Sequence, residues 1–192
     1  MNAQLKQFAT ISESYRAEQE KLHATTDYGT ASIGYAPLVS QIVNRMGISH
    51  LLDYGCGANF NLAKHLKADH KLKYQAYDPA VPRFAKDPVP AEMVCCIDVL
   101  EHIEPELLDN VLDHLAALSE GIVFLSVDTG PAVKTLSDGR NAHLIQEPMS
   151  WWLPKFWDRW DIQTVQMTTE HCFYVVAHAK LRLEFKDGTA IV

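Results

Sequence analysis

The stretch LLDYGCGANFNLAKHL, Leu51 to Leu66, narrows the choice of folds more than any other segment. An apolar run ends in an acid, Asp53, turns through Gly55 and Gly57, and enters an amphipathic segment. Strand, tight loop and helix therefore sit together, which is the local build of a nucleotide cradle.

The flanking sequence extends the same alternation. Leu5, Phe8, Ile11, Tyr15 and Leu22 fall close to helical spacing and predict an amphipathic helix. The turn formers of TTDYGTASIGYAP, Thr25 to Pro37, predict a break before a second helical stripe at Leu38, Ile42, Val43 and Met46, which Gly47 ends. LKYQAYD reads as a strand, PAVPRFAKDPVPAE as a proline-rich passage and MVCCIDV as a buried strand. EPELLDNVLDHLAAL predicts a helix with Pro105 in its first turn and Leu108, Val111, Leu112 and Leu115 on one face. GIVFLSV is a further strand, and MSWWLPKFWDRW reads as a broken helical or looped stretch. DIQTVQMTTEHCFYVVAHAKL reads as two strands joined near Glu170 and His171. The expected fold is α/β, Rossmann-like and doubly wound, with a mostly parallel sheet and a C-terminal antiparallel hairpin. With 192 residues, 47% of them hydrophobic, the chain is expected to form one domain, residues 1–47 as a helical cap or lid and 48–192 as the core.

No apolar run approaches the roughly 20 residues of a membrane helix, and the polar start lacks the apolar core of a signal peptide. A soluble, cytoplasmic protein is expected. Cys56, Cys95, Cys96 and Cys172 contain no CxxC pair and read as reduced thiols, with no metal site. A net charge of −7 argues for a small-molecule substrate over nucleic acid, although Lys134, Arg140, Lys155 and Arg159 form a local basic group. Oligomeric state is not legible.

Gly55 and Gly57 let the backbone turn and approach a ligand beyond the carboxyl end of a strand. Asp78 closes the next strand, where a carboxylate can accept hydrogen bonds from both hydroxyls of a ribose. A dinucleotide fingerprint would end in Gly or Ala, but GCGANF ends in the bulky Phe60. Asp53 suits a cation better than a pyrophosphate, such as the ammonium of an amino-acid moiety. A nucleoside with an amino-acid tail is S-adenosylmethionine.

LLDYGCG, YQAYDP and CCIDVLEHIEPE resemble, in order, the first, second and fourth motifs of class I S-adenosylmethionine-dependent methyltransferases, covering Leu51 to Glu106. DVLEHI is similar to small-molecule enzymes of the ubiquinone-biosynthesis kind. TGPAVKTLSDGRNAHLIQEPMSWWLPKF is similar to a block in compact methyltransferase-like proteins of bacteriophages and bacteria. The resemblance implies that Asp53, Gly55 and Gly57 line the methionine end, Asp78 with Pro79 the nucleoside, and Asp98 with Val99 the region beside sulfur. Asn59 stands where a third glycine is usual, and the interval from Asp78 to Asp98 is too short for a helix and a full third strand. That strand is expected to be shortened or missing, leaving adenine against Pro79, Val81 or Phe84.

Methyl transfer from a sulfonium needs alignment and, for oxygen or nitrogen acceptors, removal of a proton. His102 and His143 are the candidate bases. The bland alternative for Glu101 and His102 is that they open the next helix; for the His143 loop it is a turn built on Asp138 and Gly139. Asp128, Thr129, Arg140 and Asn141 gather after GIVFLSV as candidate acceptor contacts, with Trp152 as an aromatic wall or core residue. Tyr15, Tyr28 and Tyr35 mark a lead-in that could fold over the cofactor, Tyr28 being a candidate acceptor contact. Two rival readings are an S-adenosylmethionine-using enzyme of other chemistry, cleavage or transfer of another alkyl group, and a non-catalytic binding or scaffold protein.

Overall fold

The computed structural model describes residues 9–25, 29–180, 184–186 and 189–191. In chain order the elements are α1 (Glu13–Thr25), α2 (Ala31–Met46), β1 (His50–Tyr54), α3 (Asn61–His65), β2 (Lys73–Tyr77), β3 (Ala91–Ile97) and α4 (Leu108–Leu118). They continue with β4 (Ser119–Asp128), α5 (Met149–Arg159), β5 (Trp160–Met167), β6 (Cys172–Ala179), β7 (Glu184–Lys186) and β8 (Thr189–Ile191). The main sheet has six strands in the order β2-β1-β3-β4-β6-β5. β2, β1, β3 and β4 run parallel, whereas β6 pairs antiparallel with both β4 and β5. The expected architecture, including the terminal antiparallel hairpin, is the one observed.

Period-two alternation sorts the strand residues onto two cores. Leu52, Tyr54, Val94, Cys96, Val123 and Leu125 pack with Val111, Leu112 and Leu115 of α4 and with Trp152 and Phe156 of α5. Leu51, Met93, Cys95, Ile122 and Phe124 pack with Ala36, Val39 and Val43 of α2 and Leu62 of α3. Both faces are covered, which is why the central strands are apolar throughout rather than alternating.

The sheet ends at β2. Beyond it, residues 79–90 contain only a 3-10 turn, Pro82–Phe84. Pro79, Pro82, Pro88 and Pro90 lack the N–H groups that a strand laid beside β2 would need. The Gln75 side chain engages that edge instead, donating to Val89 O at 3.1 Å and accepting from Val89 N–H at 3.4 Å.

Three expectations change. Ala31 to Pro37 are helical although rich in turn formers, because exposed Pro37 interrupts only the solvent side of α2. Met149 to Arg159 form one continuous helix, since Pro154 also faces solvent while Trp152 and Phe156 anchor the opposite face. Tyr35 is core-packed against Phe124 and Tyr174, with ring centroids 5.5 and 6.1 Å away. Among the described residues, no helix is long and apolar enough to cross a membrane.

Candidate functional site

The carboxyl ends of β1, β2 and β3 converge on one cleft of about 880 Å³, continuous with solvent. Its walls contain Asp53, Gly55, Gly57, Asp78, Pro79, Asp98 and Val99, together with His102. At the end of β1, Asp53 is buried and accepts a 2.5 Å hydrogen bond from the Tyr74 hydroxyl of β2. Burial, and next the nearby charge of Asp78, push the Asp53 carboxyl up to about 7 against the opposing pull of the Tyr74 bond.

The loop after β1 has the left-handed backbone its glycines predict, with φ of 78° at Gly55 and 64° at Gly57. A Cβ at Gly55 would lie 2.4 Å from Val99 Cγ2, so the close approach here is between two walls of the cleft. Gly55 N–H donates to Tyr77 O at 2.7 Å, and Gly57 N–H to Asp78 Oδ2 at 3.0 Å. Asp78 Oδ1 accepts Ala80 N–H at 2.9 Å, while Asp78 N–H and Val81 N–H close the turn onto Phe84 O and Asp78 O. These two N–H bonds fix the Asp78 carboxylate at the cleft wall.

At the cleft wall, β3 is followed by Asp98, a non-glycine residue at φ 59° whose N–H meets Ser126 of β4. Such conformations persist where the surrounding structure holds them. His102 Nδ1 lies 2.8 Å from Ala142 O and His143 Nδ1 2.7 Å from Gly130 O. A carbonyl partner assigns the proton to Nδ1 in both rings, so in the neutral form Nε2 is the basic nitrogen. The two rings meet edge to face, centroids 4.6 Å apart. His102 lines the cleft, and His143 stands one ring behind it.

α1 and the segment before it form the remaining wall, through Thr10, Ile11, Tyr15 and Gln19. Ser12 N–H and Oγ–H donate to the two oxygens of buried Glu104 at 2.8 and 2.6 Å, and Ser12 Oγ accepts Tyr15 N–H at 3.2 Å as a helix cap. The Tyr15 hydroxyl donates to His102 O at 2.6 Å and accepts from Gln19 Nε2 at 2.7 Å. Burial raises the Tyr15 phenol, so it stays a donor at neutral pH. Tyr15 is part of the cap; Tyr28 lies outside the described residues.

The loop from Asp128 to His143 turns away from the cleft. Asp128 Oδ1 accepts Gly130 N–H, Thr129 donates through N–H and Oγ1 to His171 O, and Arg140 pairs with Asp138. Asn141 clamps Ala132 through both its amide atoms and also accepts His143 N–H. These polar groups close a hairpin whose Leu136 and Ala142 pack on Tyr15. They support the cap and do not line the cleft. Trp152 is fully buried and donates to Glu147 O at 3.0 Å, so it belongs to the core and offers no acceptor wall. Tyr74 and Glu104 lie within the motifs YQAYDP and CCIDVLEHIEPE, but their roles depend on contacts with Asp53 and Ser12 that the motifs do not encode.

The family model described as methyltransferase domain matches residues 30–183. No curated protein sequence matches the chain. Among solved structures, the fold is similar to the 1,6-didemethyltoxoflavin-N1-methyltransferase of Burkholderia thailandensis with bound 1,6-didemethyltoxoflavin and S-adenosylhomocysteine. The identity is 14% and the TM-score 0.63, over 93% of this chain and 97% of that one. The magnesium protoporphyrin IX methyltransferase of Synechocystis PCC 6803 with bound S-adenosylmethionine aligns at 15% identity and TM-score 0.55, over 94% and 100% of the two chains. A DhpI complex with S-adenosylhomocysteine aligns at 17% identity and TM-score 0.56, over 88% and 95%.

Proposed function

The chain belongs to the methyltransferase domain family, and we propose that it transfers the methyl group of S-adenosylmethionine to a small-molecule acceptor. The observation that carries this reading is the convergence of Asp53, Gly55, Gly57, Asp78, Pro79, Asp98 and Val99 on one cleft. These acceptor groups fit the cofactor's chemistry. A buried carboxyl with one hydrogen-bond donor at Oδ2, Asp53, suits an ammonium, and the fixed carboxylate of Asp78 suits a ribose diol. Bound there, S-adenosylmethionine supplies an activated methyl group on a sulfonium.

The chain's own residues supply positioning and proton transfer. His102, on the cleft wall with Nδ1 held by Ala142 O, takes the acceptor's proton at Nε2, and His143 braces its ring. α1, latched through Ser12 and Tyr15, closes one side of the cleft. The cap of this single functional domain is then α1 with the residues just before it, whereas α2, expected to belong to the cap, covers one face of the sheet as part of the core.

A small acceptor accords with an acidic chain and with basic side chains that are already engaged: Arg140 pairs with Asp138, and Arg159 with Asp109 and Asp113. It also accords with the 1,6-didemethyltoxoflavin bound to one structural neighbour and the magnesium protoporphyrin IX in the name of another. A cytoplasmic setting accords with four free cysteines. Incubation with methyl-labelled S-adenosylmethionine and a protein-free metabolite extract tests the reading. Label should appear in a dialysable product; binding without transfer to any acceptor would contradict it.

A further inference from the structure

Glu101 is wholly buried on the 3-10 turn Leu100–His102, directly behind the cleft. Its Oε1 accepts Asp128 N–H from the end of β4 at 2.6 Å, and its backbone O accepts Ile145 N–H at 3.0 Å. Oε2 meets no N–H or O–H donor. The side chain within hydrogen-bonding reach of Glu101 is instead the carboxyl of Asp98, three residues back along the chain. An ionised carboxylate only accepts, so a bond between two carboxyl groups exists only when one of them holds a proton.

We propose that Glu101 holds that proton and acts as a positioning residue, donating to the Asp98 carboxylate at the cleft wall while accepting from Asp128. Glu101 is the more enclosed of the two, whereas Asp98 lines the cleft and has His143 beside it, so the charge belongs on Asp98. The titratable groups facing the pair are Cys96 of β3, Asp128 of β4, Cys172 of β6, Tyr35 of α2 and His143, with His102 next along the turn. Burial first, then the Asp98 charge, push Glu101 well above the ordinary carboxyl range, in agreement with the geometry. The neutral acid joins the ends of β3 and β4 and helps hold Asp98 at its left-handed φ of 59°. It also leaves one negative charge, rather than two, beside the place where a sulfonium would react.

Glu101→Gln preserves both bonds, because the amide N–H can donate to Asp98 while the amide oxygen accepts from Asp128. The direct test is infrared difference spectroscopy of the protein without acceptor, at about pH 8.5, where a carboxyl titrating near 7 such as Asp53 is ionised. The expected result is the carbonyl band of an un-ionised acid that shifts in D₂O and is lost in Glu101→Gln. Absence of that band from the wild type, or its persistence in the variant, overturns the proposal.

The consequence for turnover rests on the methyl-transfer reading, but the spectroscopic result does not, so the two fail separately. Glu101→Gln should keep kcat within about threefold, while Glu101→Ala should lower it about tenfold or more with cofactor KM little changed. Equal damage from Gln and Ala would mean that an ionised Glu101 is required, which contradicts the proposal.

Discussion

The backbone N–H of Gly57 donates to Oδ2 of Asp78 at 3.0 Å, joining the loop after β1 to the end of β2. One carboxylate therefore shapes the glycine loop and, in the proposed function, anchors the ribose. Asp78→Ala should weaken cofactor binding by about 1.5–3 kcal/mol, the scale of a lost hydrogen bond to a charged group. Calorimetry checks this; unchanged affinity would remove Asp78 from the site.

Gly55 is constrained twice, by φ of 78° and by the Val99 side chain. Gly55→Ala should destabilise the fold by about 1–2 kcal/mol for the left-handed backbone alone, and by more through overlap with Val99. Val99→Ala in the same chain should restore only the overlap part, as urea denaturation of the two variants would report. Full recovery would mean that the backbone conformation costs nothing.

The strands, the glycine loop and the acid after β2 were legible because each is encoded within a few neighbouring residues, as apolar runs broken by glycine and ended by aspartate. The absent third strand was legible from the short interval between Asp78 and Asp98, and the prolines inside that interval are the physical reason no ladder forms there. What escaped depends on contacts between distant segments. Tyr74 reaches Asp53 only because β1 and β2 pair with Leu51 opposite Tyr74, and Ser12 meets Glu104 across 92 positions. The polar residues Asp128 to Asn141 resembled a substrate loop, yet their groups are consumed in closing a hairpin against α1. Trp152 is an interior residue because α5 survives Pro154 and turns that face toward the sheet.

Asp53 predicts a pH dependence. Its folded carboxyl titrates at about 7, so below that pH it is largely neutral and cannot pair with an ammonium. Cofactor affinity should rise with pH up to about 7 and then level until the ligand's own amino group deprotonates. Binding below pH 7 should release a proton, visible as a buffer-dependent enthalpy. Asp53→Asn should abolish both effects; a wild-type affinity flat from pH 5.5 to 7.5 would show that Asp53 faces no ammonium.

The two histidines should separate kinetically. His102→Ala is expected to lower kcat by about 100-fold or more with cofactor affinity nearly intact, and His143→Ala to have a smaller effect, because His102 alone lines the cleft. If His143→Ala abolishes turnover while His102→Ala does not, the base is the inner ring. If neither matters, the acceptor arrives already deprotonated and catalysis rests on alignment.

Titration of the purified protein with S-adenosylhomocysteine, with NAD as the competing nucleotide, tests the identity of the cleft most directly. Saturable binding of one S-adenosylhomocysteine per chain, weakened by Asp78→Ala and undisturbed by NAD, is the predicted result. No binding of S-adenosylhomocysteine or S-adenosylmethionine, or displacement by NAD, would contradict it.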